Sequence, residues 1–337
     1  MNVKSMALIG GLLLVASHAA AATLDEVKAR GVLRCGVAPN NPGFAIPDAQ
    51  GNFRGFDVDF CKGIAAAIFG DGEKGRPVVA EPRDAFTMLT TGAIDVLTHR
   101  FTYTFGRDNG AGMEFALVLF YDGQGFMVPR ALNLKSAREL NGATICVMQG
   151  TTVEINIADF FSANKSPYKV VTFAGPEATR LAYDEGRCDA LSNDRSGLAS
   201  RSGALKEPDK HMVLPETISN EPIGPWVRQG DPAWAHVVRW TSYALIAAEE
   251  LGITQVNVED MRKSSSNPNV RRLLGSDEDF GGKIGLSRDW AFNAIKAVGN
   301  YGEIFERGVG MKSPLKLSRG ANALIRDGGL LYAPPIR

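Results

Sequence analysis

The sequence predicts an α/β fold made of two successive strand–helix units. Three observations carry this. Short apolar runs alternate with longer helical patterns, as in parallel sheets covered by helices. The alternation starts again with the strand at Ala143, so that a second unit begins near residue 125. Two turn-rich stretches, Gly123-Gln124-Gly125 and Glu221-Pro222-Ile223-Gly224-Pro225, bracket the second unit as crossings.

In the first unit, Val32 to Ala38 reads as a buried strand. The segment Gly43 to Phe53 has turn chemistry around apolar anchors, Phe44 among them. Asp59 to Phe69 reads as a helix with Gly70 as its C-cap. A short strand, Val78-Val79-Ala80, follows. Asp84 is an N-cap for a helix from Ala85 to Thr91, which Gly92 ends. Ile94 to Leu97 is the next strand. The second unit repeats the pattern with strands at Ala143 to Val147, Val170 to Thr172 and Asp189 to Leu191. Between them lie helices Val153 to Phe161, entered by the turn Gln149-Gly150-Thr151-Thr152, and Glu177 to Glu185, ended by Gly186. The remainder, from about residue 226, is mostly helical. Pro232 to Leu251 and Asp289 to Val298 are its clearest helices by apolar spacing and length.

The first residues read as a leader. Lys4 gives a positive start, Met6 to Ala16 is an apolar run too short to span a bilayer, and Ala19 to Ala22 offers a cleavage site after Ala21 or Ala22. Removing residues 1–22 leaves about 315 residues, about two domains by length. Lys and Arg number 37, as do Asp and Glu. With no basic stripe, nucleic acid and anionic membrane are poor partners. An exported chain meets an oxidising compartment, so the even count of cysteines, Cys35, Cys61, Cys146 and Cys188, suggests disulfides. Three pairings are possible. If the early and the middle cysteines belong to separate lobes, Cys35–Cys61 and Cys146–Cys188 follow. No C-x-x-C occurs and the four histidines are scattered, so neither a metal site nor a cofactor is expected.

Chemistry concentrates at Thr102-Tyr103-Thr104-Phe105-Gly106-Arg107, just after the strand pattern Ile94 to Leu97. A strand end with two hydroxyls and an arginine suits a small carboxylate, which the guanidinium fork matches in two parallel hydrogen bonds. Neither G-x-S-x-G nor H-E-x-x-H is present, and no serine, histidine and acid stand in a nucleophile setting.

At these residues the chain resembles the bacterial extracellular solute-binding proteins of ABC importers for polar amino acids, and within them the general L-amino-acid group. The resemblance spans nearly the whole mature chain. It rests on Gly55-Phe56-Asp57-Val58-Asp59-Phe60-Cys61, Gly92 to Val96, Thr102 to Arg107, Tyr121 to Val128, Gln149 to Thr152, Gly186 to Ala190 and Gly299 to Phe305, in that order. It implies a type II periplasmic-binding-protein fold: two α/β lobes, a two-strand hinge and a ligand cleft between the lobes. Residues 23–122 and 224–337 would form lobe 1, the second stretch with a helical extension wrapping it, and 123–223 lobe 2. It also explains one disulfide in each lobe.

The resemblance further implies a site. Arg107 would grip the α-carboxylate of an amino acid, with Thr102 beside it. Thr152 and the N–H groups of its turn would meet that carboxylate from the other lobe, since a helix start suits an anion. Asp194 would pair with the ligand ammonium; the plainer role for it is an N-cap of a helix from Arg195. Many members clamp the ligand side chain between aromatics, whereas here those positions fall on Asn41 and Pro82. The family stretch Arg-Asn-Thr-Thr-Trp-Thr reads His99-Arg100-Phe101-Thr102-Tyr103-Thr104. Arg100 is therefore expected either to favour a polar or acidic ligand side chain or to point to the hinge or solvent. The implied function is a monomeric periplasmic receptor that delivers amino acids to an inner-membrane ABC permease. The alternatives are a dehydratase-like enzyme on the same fold and a receptor for another small carboxylate such as an opine.

Overall fold

A computed structural model describes residues 22–38, 40–110 and 112–337. The expected leader lies almost wholly outside them. Among the described residues, no helix is long and apolar enough to cross a membrane.

Two five-stranded sheets organise the chain. The first has the order Gly75–Val79, Leu33–Val37, Val96–Leu97, Trp226–Arg228, Met113–Phe115. Its first three strands are parallel and Trp226–Arg228 runs against them. The second has the order Lys169–Phe173, Thr144–Met148, Ala190–Asp194, Gln124–Pro129, His211–Val213. Here too three parallel strands are followed by one that runs against them, Gln124–Pro129, with His211–Val213 antiparallel to it. The first sheet draws strands from both sides of the stretch that builds the second. Between them, Phe120–Asp122 pairs antiparallel with Glu221–Ile223, Glu221 opposite Asp122. The result is the type II periplasmic-binding-protein fold, two lobes on a two-strand hinge.

Each lobe has its own core. Phe56, Phe60, Trp234, Tyr301 and Phe305 centre the first, and Phe126, Ile145, Ile157 and Phe161 the second. The tail joins the first core through Leu324 and Leu331. Cys35 pairs with Cys61 and Cys146 with Cys188, so each bridge stays within one lobe.

Local differences from expectation have physical causes. The first long helix begins at Phe56, three residues before Asp59. Gly55 precedes it at φ 132°, where a Cβ would strike the Phe44 carbonyl. Backbone carbonyls of Gly43 and Phe44 accept from Phe56 N and Asp57 N, so this helix start carries no polar cap residue to read. Gly70 ends the helix in the left-handed conformation, as expected. Asp84 does precede helix Ala85–Thr90, but its side chain makes no capping bond. The strand expected at Asp189 to Leu191 instead spans Ala190–Asp194, which carries Asp194 to the edge of the cleft.

Candidate ligand-binding site

The cleft between the lobes holds about 660 Å³, counting space open to solvent. Arg107, Thr102, Arg100 and Asn41 line it from the first lobe, Thr152 and Asp194 from the second. All six residues expected at a site are brought together.

Arg107 sits on a short helix, Phe105–Gly110, and not at a strand end. Its Nη1 donates to the Thr102 carbonyl at 2.8 Å. Its guanidinium lies over Phe101, 5.3 Å from the ring centre, and over Phe86 at 5.7 Å. Phe101 in turn stacks on His99 at 4.3 Å. Backbone and aromatic faces thus hold this cation, and no carboxylate lies within 4.0 Å of it among the described residues. Burial lowers its pKa, against the opposing charges of Glu221 and Asp194. His99 is buried with neither ring nitrogen hydrogen-bonded. Burial, then Arg100 and Arg107, push its pKa down to about 3, so the ring is neutral.

Asp194 occupies the N-cap position of helix Arg195–Ser202 without making a capping bond. The residue is 8% exposed, and its carboxylate has no ion-pair partner within 4.0 Å among the described residues. Burial pushes its pKa up to about 7; Asp122 and Glu221 add to the rise, while Arg100 and Arg201 oppose it.

Glu221 was not legible as a site residue. It lies on the hinge strand and is almost fully buried. Thr102 donates its hydroxyl to Oε2 from the first lobe, and Thr152 donates to the same oxygen from the second at 3.3 Å. Asn156 and Ser219 donate to Oε1 at 2.7 and 2.6 Å. Both threonine protons therefore point to the hinge, and their lone pairs remain for a donor. The N–H groups at the start of helix Thr152–Ala163 are the groups left for an anion, since a first turn has no intrahelical acceptors.

Arg100 is placed at the hinge. Its Nη1 donates to Ser196 and lies 3.7 Å from Asp122. Its guanidinium rests 4.4 Å above the Phe44 ring. Asn41 reaches the other lobe, where Oδ1 accepts from Ser200 at 3.0 Å. Arg201 is a third cleft arginine, one the sequence did not single out. Its signal is faint: an arginine seven residues after Asp194, two helical turns along the same face.

A cleft between two hinged lobes, with a cation on one side and a carboxylate on the other, defines a two-lobed binding protein for a small polar solute. The chain belongs to the bacterial extracellular solute-binding proteins, family 3, whose family model matches residues 33–255. It is 54% identical over 324 residues, 96% of this chain and 95% of the relative, to the general L-amino acid-binding periplasmic protein AapJ of Rhizobium johnstonii. It is 50% identical over 324 residues, 96% of each chain, to the glutamate/glutamine/aspartate/asparagine-binding protein BztA of Rhodobacter capsulatus. A solved structure of an ABC transporter / periplasmic binding protein from Brucella ovis with glutathione bound matches with a TM-score of 0.92. It is 51% identical, and the match covers 94% of this chain and all of that one.

Proposed function

We propose that this protein is a periplasmic receptor that takes a free L-amino acid into the cleft and hands it to an ABC-type permease. One observation carries the reading. Arg107 and Asp194 face the cleft from opposite lobes, and neither has an ion-pair partner among the described residues. A buried charge needs an opposite charge or donors, and a zwitterion supplies both at once.

In this reading the Arg107 fork takes the α-carboxylate, with the N–H groups that open helix Thr152–Ala163 beside it. Asp194 takes the ammonium, with the Thr102 and Thr152 oxygens as further acceptors. Asn41 lines the side-chain end. A ligand held by both lobes binds the closed form better than the open one, and so drives closure. The closed monomer, with 23–122 and 224–337 as one lobe and 123–223 as the other, is what the permease meets after the leader is cut at Ala21 or Ala22. The relatives' names support amino acids as the solute and the periplasm as the place.

The glutathione-bound neighbour favours a second ligand of the same type, because a γ-glutamyl group carries the same zwitterionic head. A thermal-shift panel of single amino acids and glutathione, followed by calorimetry, tests the proposal. A ligand that binds only the folded state at a thousandfold excess over Kd stabilises by about 4 kcal/mol. Stabilisation that disappears in Arg107→Ala is the expected result. No shift with any of them overturns it and redirects attention to opines and other small carboxylates. Consumption of a bound amino acid during incubation would point to an enzyme.

A further inference from the structure

Besides Arg107, the cleft is lined by two more arginines, Arg100 and Arg201. Arg201, on helix Arg195–Ser202, folds back along its own helix so that Nη1 donates to the Gly197 carbonyl at 2.9 Å. No carboxylate lies within 4.0 Å of it among the described residues; Asp194 and Glu177 act on it only at longer range. Burial, with help from Arg100, lowers its pKa to about 10, which leaves it charged at neutral pH.

Two other donors share its surroundings. Arg100 commits Nη1 to Ser196 and Asp122, but Nη2 has no protein acceptor among the described residues. Asn193 accepts from Asp194 N through Oδ1 at 2.8 Å, which fixes its amide with Nδ2 as the free end. These nitrogens crowd one face of Gly197. A Cβ built there would lie 2.8 Å from Arg201 Nη1, 3.1 Å from Arg100 Nη2 and 3.1 Å from Asn193 Nδ2. A side chain at 197 would push Arg201 Nη1 aside. Guanidinium and amide NH₂ groups donate and do not accept, so this is a donor cluster whose one protein acceptor is the Gly197 carbonyl on Arg201 Nη1, and all three side chains line the cleft.

We infer that Arg201, Arg100 and Asn193, gathered over Gly197, form a subsite for a second carboxylate on the ligand. The inference rests on the reading above, which places the first carboxylate at Arg107 and the ammonium at Asp194. The ligand class is then an α-amino acid carrying a further acid group. That group is either the side-chain carboxylate of an acidic amino acid or the terminal carboxylate of a γ-glutamyl peptide. Arg100 serves the subsite with the edge its hinge contacts leave over, so the main determinant is Arg201.

Calorimetric titration of wild type, Arg201→Gln and Gly197→Ala with L-glutamate, L-glutamine, glutathione and its glycyl ethyl ester tests this. Losing one partner of a desolvated charge pair should weaken glutamate binding by about thirtyfold or more in Arg201→Gln and move glutamine by less than about threefold. A selective loss for glutamate over glutamine assigns the carboxylate to a side chain. A selective loss for glutathione over its ester assigns it to the peptide terminus. Gly197→Ala, whose Cβ displaces Arg201, should reproduce the same selectivity, and it carries the test if Arg201→Gln does not fold. Equal effects on acid and neutral ligands, or none, overturn the inference, while the amino-acid reading survives if Arg107→Ala still abolishes binding. No binding of any of these to wild type overturns both.

Discussion

Ser200 reaches across the mouth of the cleft and donates its hydroxyl to Asn41 Oδ1 at 3.0 Å, sharing it with the Pro42 carbonyl at 2.7 Å. Ser200 belongs to the helix that follows Asp194, and Asn41 to the loop after the first strand. The contact joins the two lobes one helical turn beyond Ser196, which bonds Asp122 on the hinge strand. As a bond between the lobes it is expected to break when the cleft opens, and so to act as a latch. One neutral hydrogen bond contributes about 0.5–1.5 kcal/mol. Ser200→Ala should therefore weaken ligand binding by about two- to tenfold. Stopped-flow dissociation should assign most of that to faster release, because the latch forms after the ligand has bound.

The pH dependence follows from Asp194. Its folded pKa is raised to about 7, so the empty closed protein holds that proton below neutrality. A ligand ammonium needs the carboxylate, and at lower pH binding must expel the proton. That costs about 1.4 kcal/mol per pH unit. Affinity for glutamine, which has no side-chain carboxylate, should fall about tenfold per unit below pH 7 and stay level just above it. Calorimetry in buffers of different ionisation enthalpy should show close to one proton released at pH 6. Since the unfolded carboxyl titrates near 3.8, the same group also removes folding stability as pH rises from about 4 to about 7. The thermal shift given by a ligand should accordingly be larger at pH 8 than at pH 6. Asp194→Asn should abolish both trends.

Glu221 binds the two lobes to the hinge. Four donors, from Thr102, Thr152, Asn156 and Ser219, converge on its two oxygens. Glu221→Gln offers one acceptor oxygen and one NH₂ that faces donors. A buried group left unsatisfied costs about 1–3 kcal/mol. The variant should unfold a few degrees lower and bind ligand more weakly, through disturbed closure and not through lost contact. Scattering from the liganded variant should show a population more open than wild type under saturation.

The two disulfides close loops of 26 and 42 residues within separate lobes. The chain-entropy model gives about 3.5 and about 4 kcal/mol for loops of those lengths. Replacing Cys146 and Cys188 together by serine should lower stability by about that much and lower the unfolding transition of the second lobe selectively. Ligand affinity measured well below the transition should change little, because neither bridge crosses the hinge.

Much was legible along the chain. Leu33–Val37 and Thr144–Met148 are short apolar strands whose neighbours begin with turn residues, and Gly70 marks a helix end through its backbone freedom. These signals are local, so sequence carries them. The pairing of the cysteines followed once the lobes were separated, and Arg107, Thr102, Thr152 and Asp194 stood out by resemblance and by chemistry suited to a zwitterion. The start of helix Phe56–Phe69 was not legible, because carbonyls contributed by Gly43 and Phe44 cap it.

The sequence by itself determined two α/β units, their order and the charges available for a ligand. Tertiary structure alone decided where those charges stand. Glu221 is an ordinary acid on a turn-rich stretch until folding buries it between Thr102 and Thr152, 119 and 69 residues away. Arg201 reads as a surface arginine until folding places it in the cleft lining. Asn41 and Ser200, 159 residues apart, become partners only through the fold. Periodicity and capping act over a few residues, whereas desolvation and hydrogen-bond pairing act between whatever groups the fold brings within about 3 Å, and no local pattern encodes that proximity.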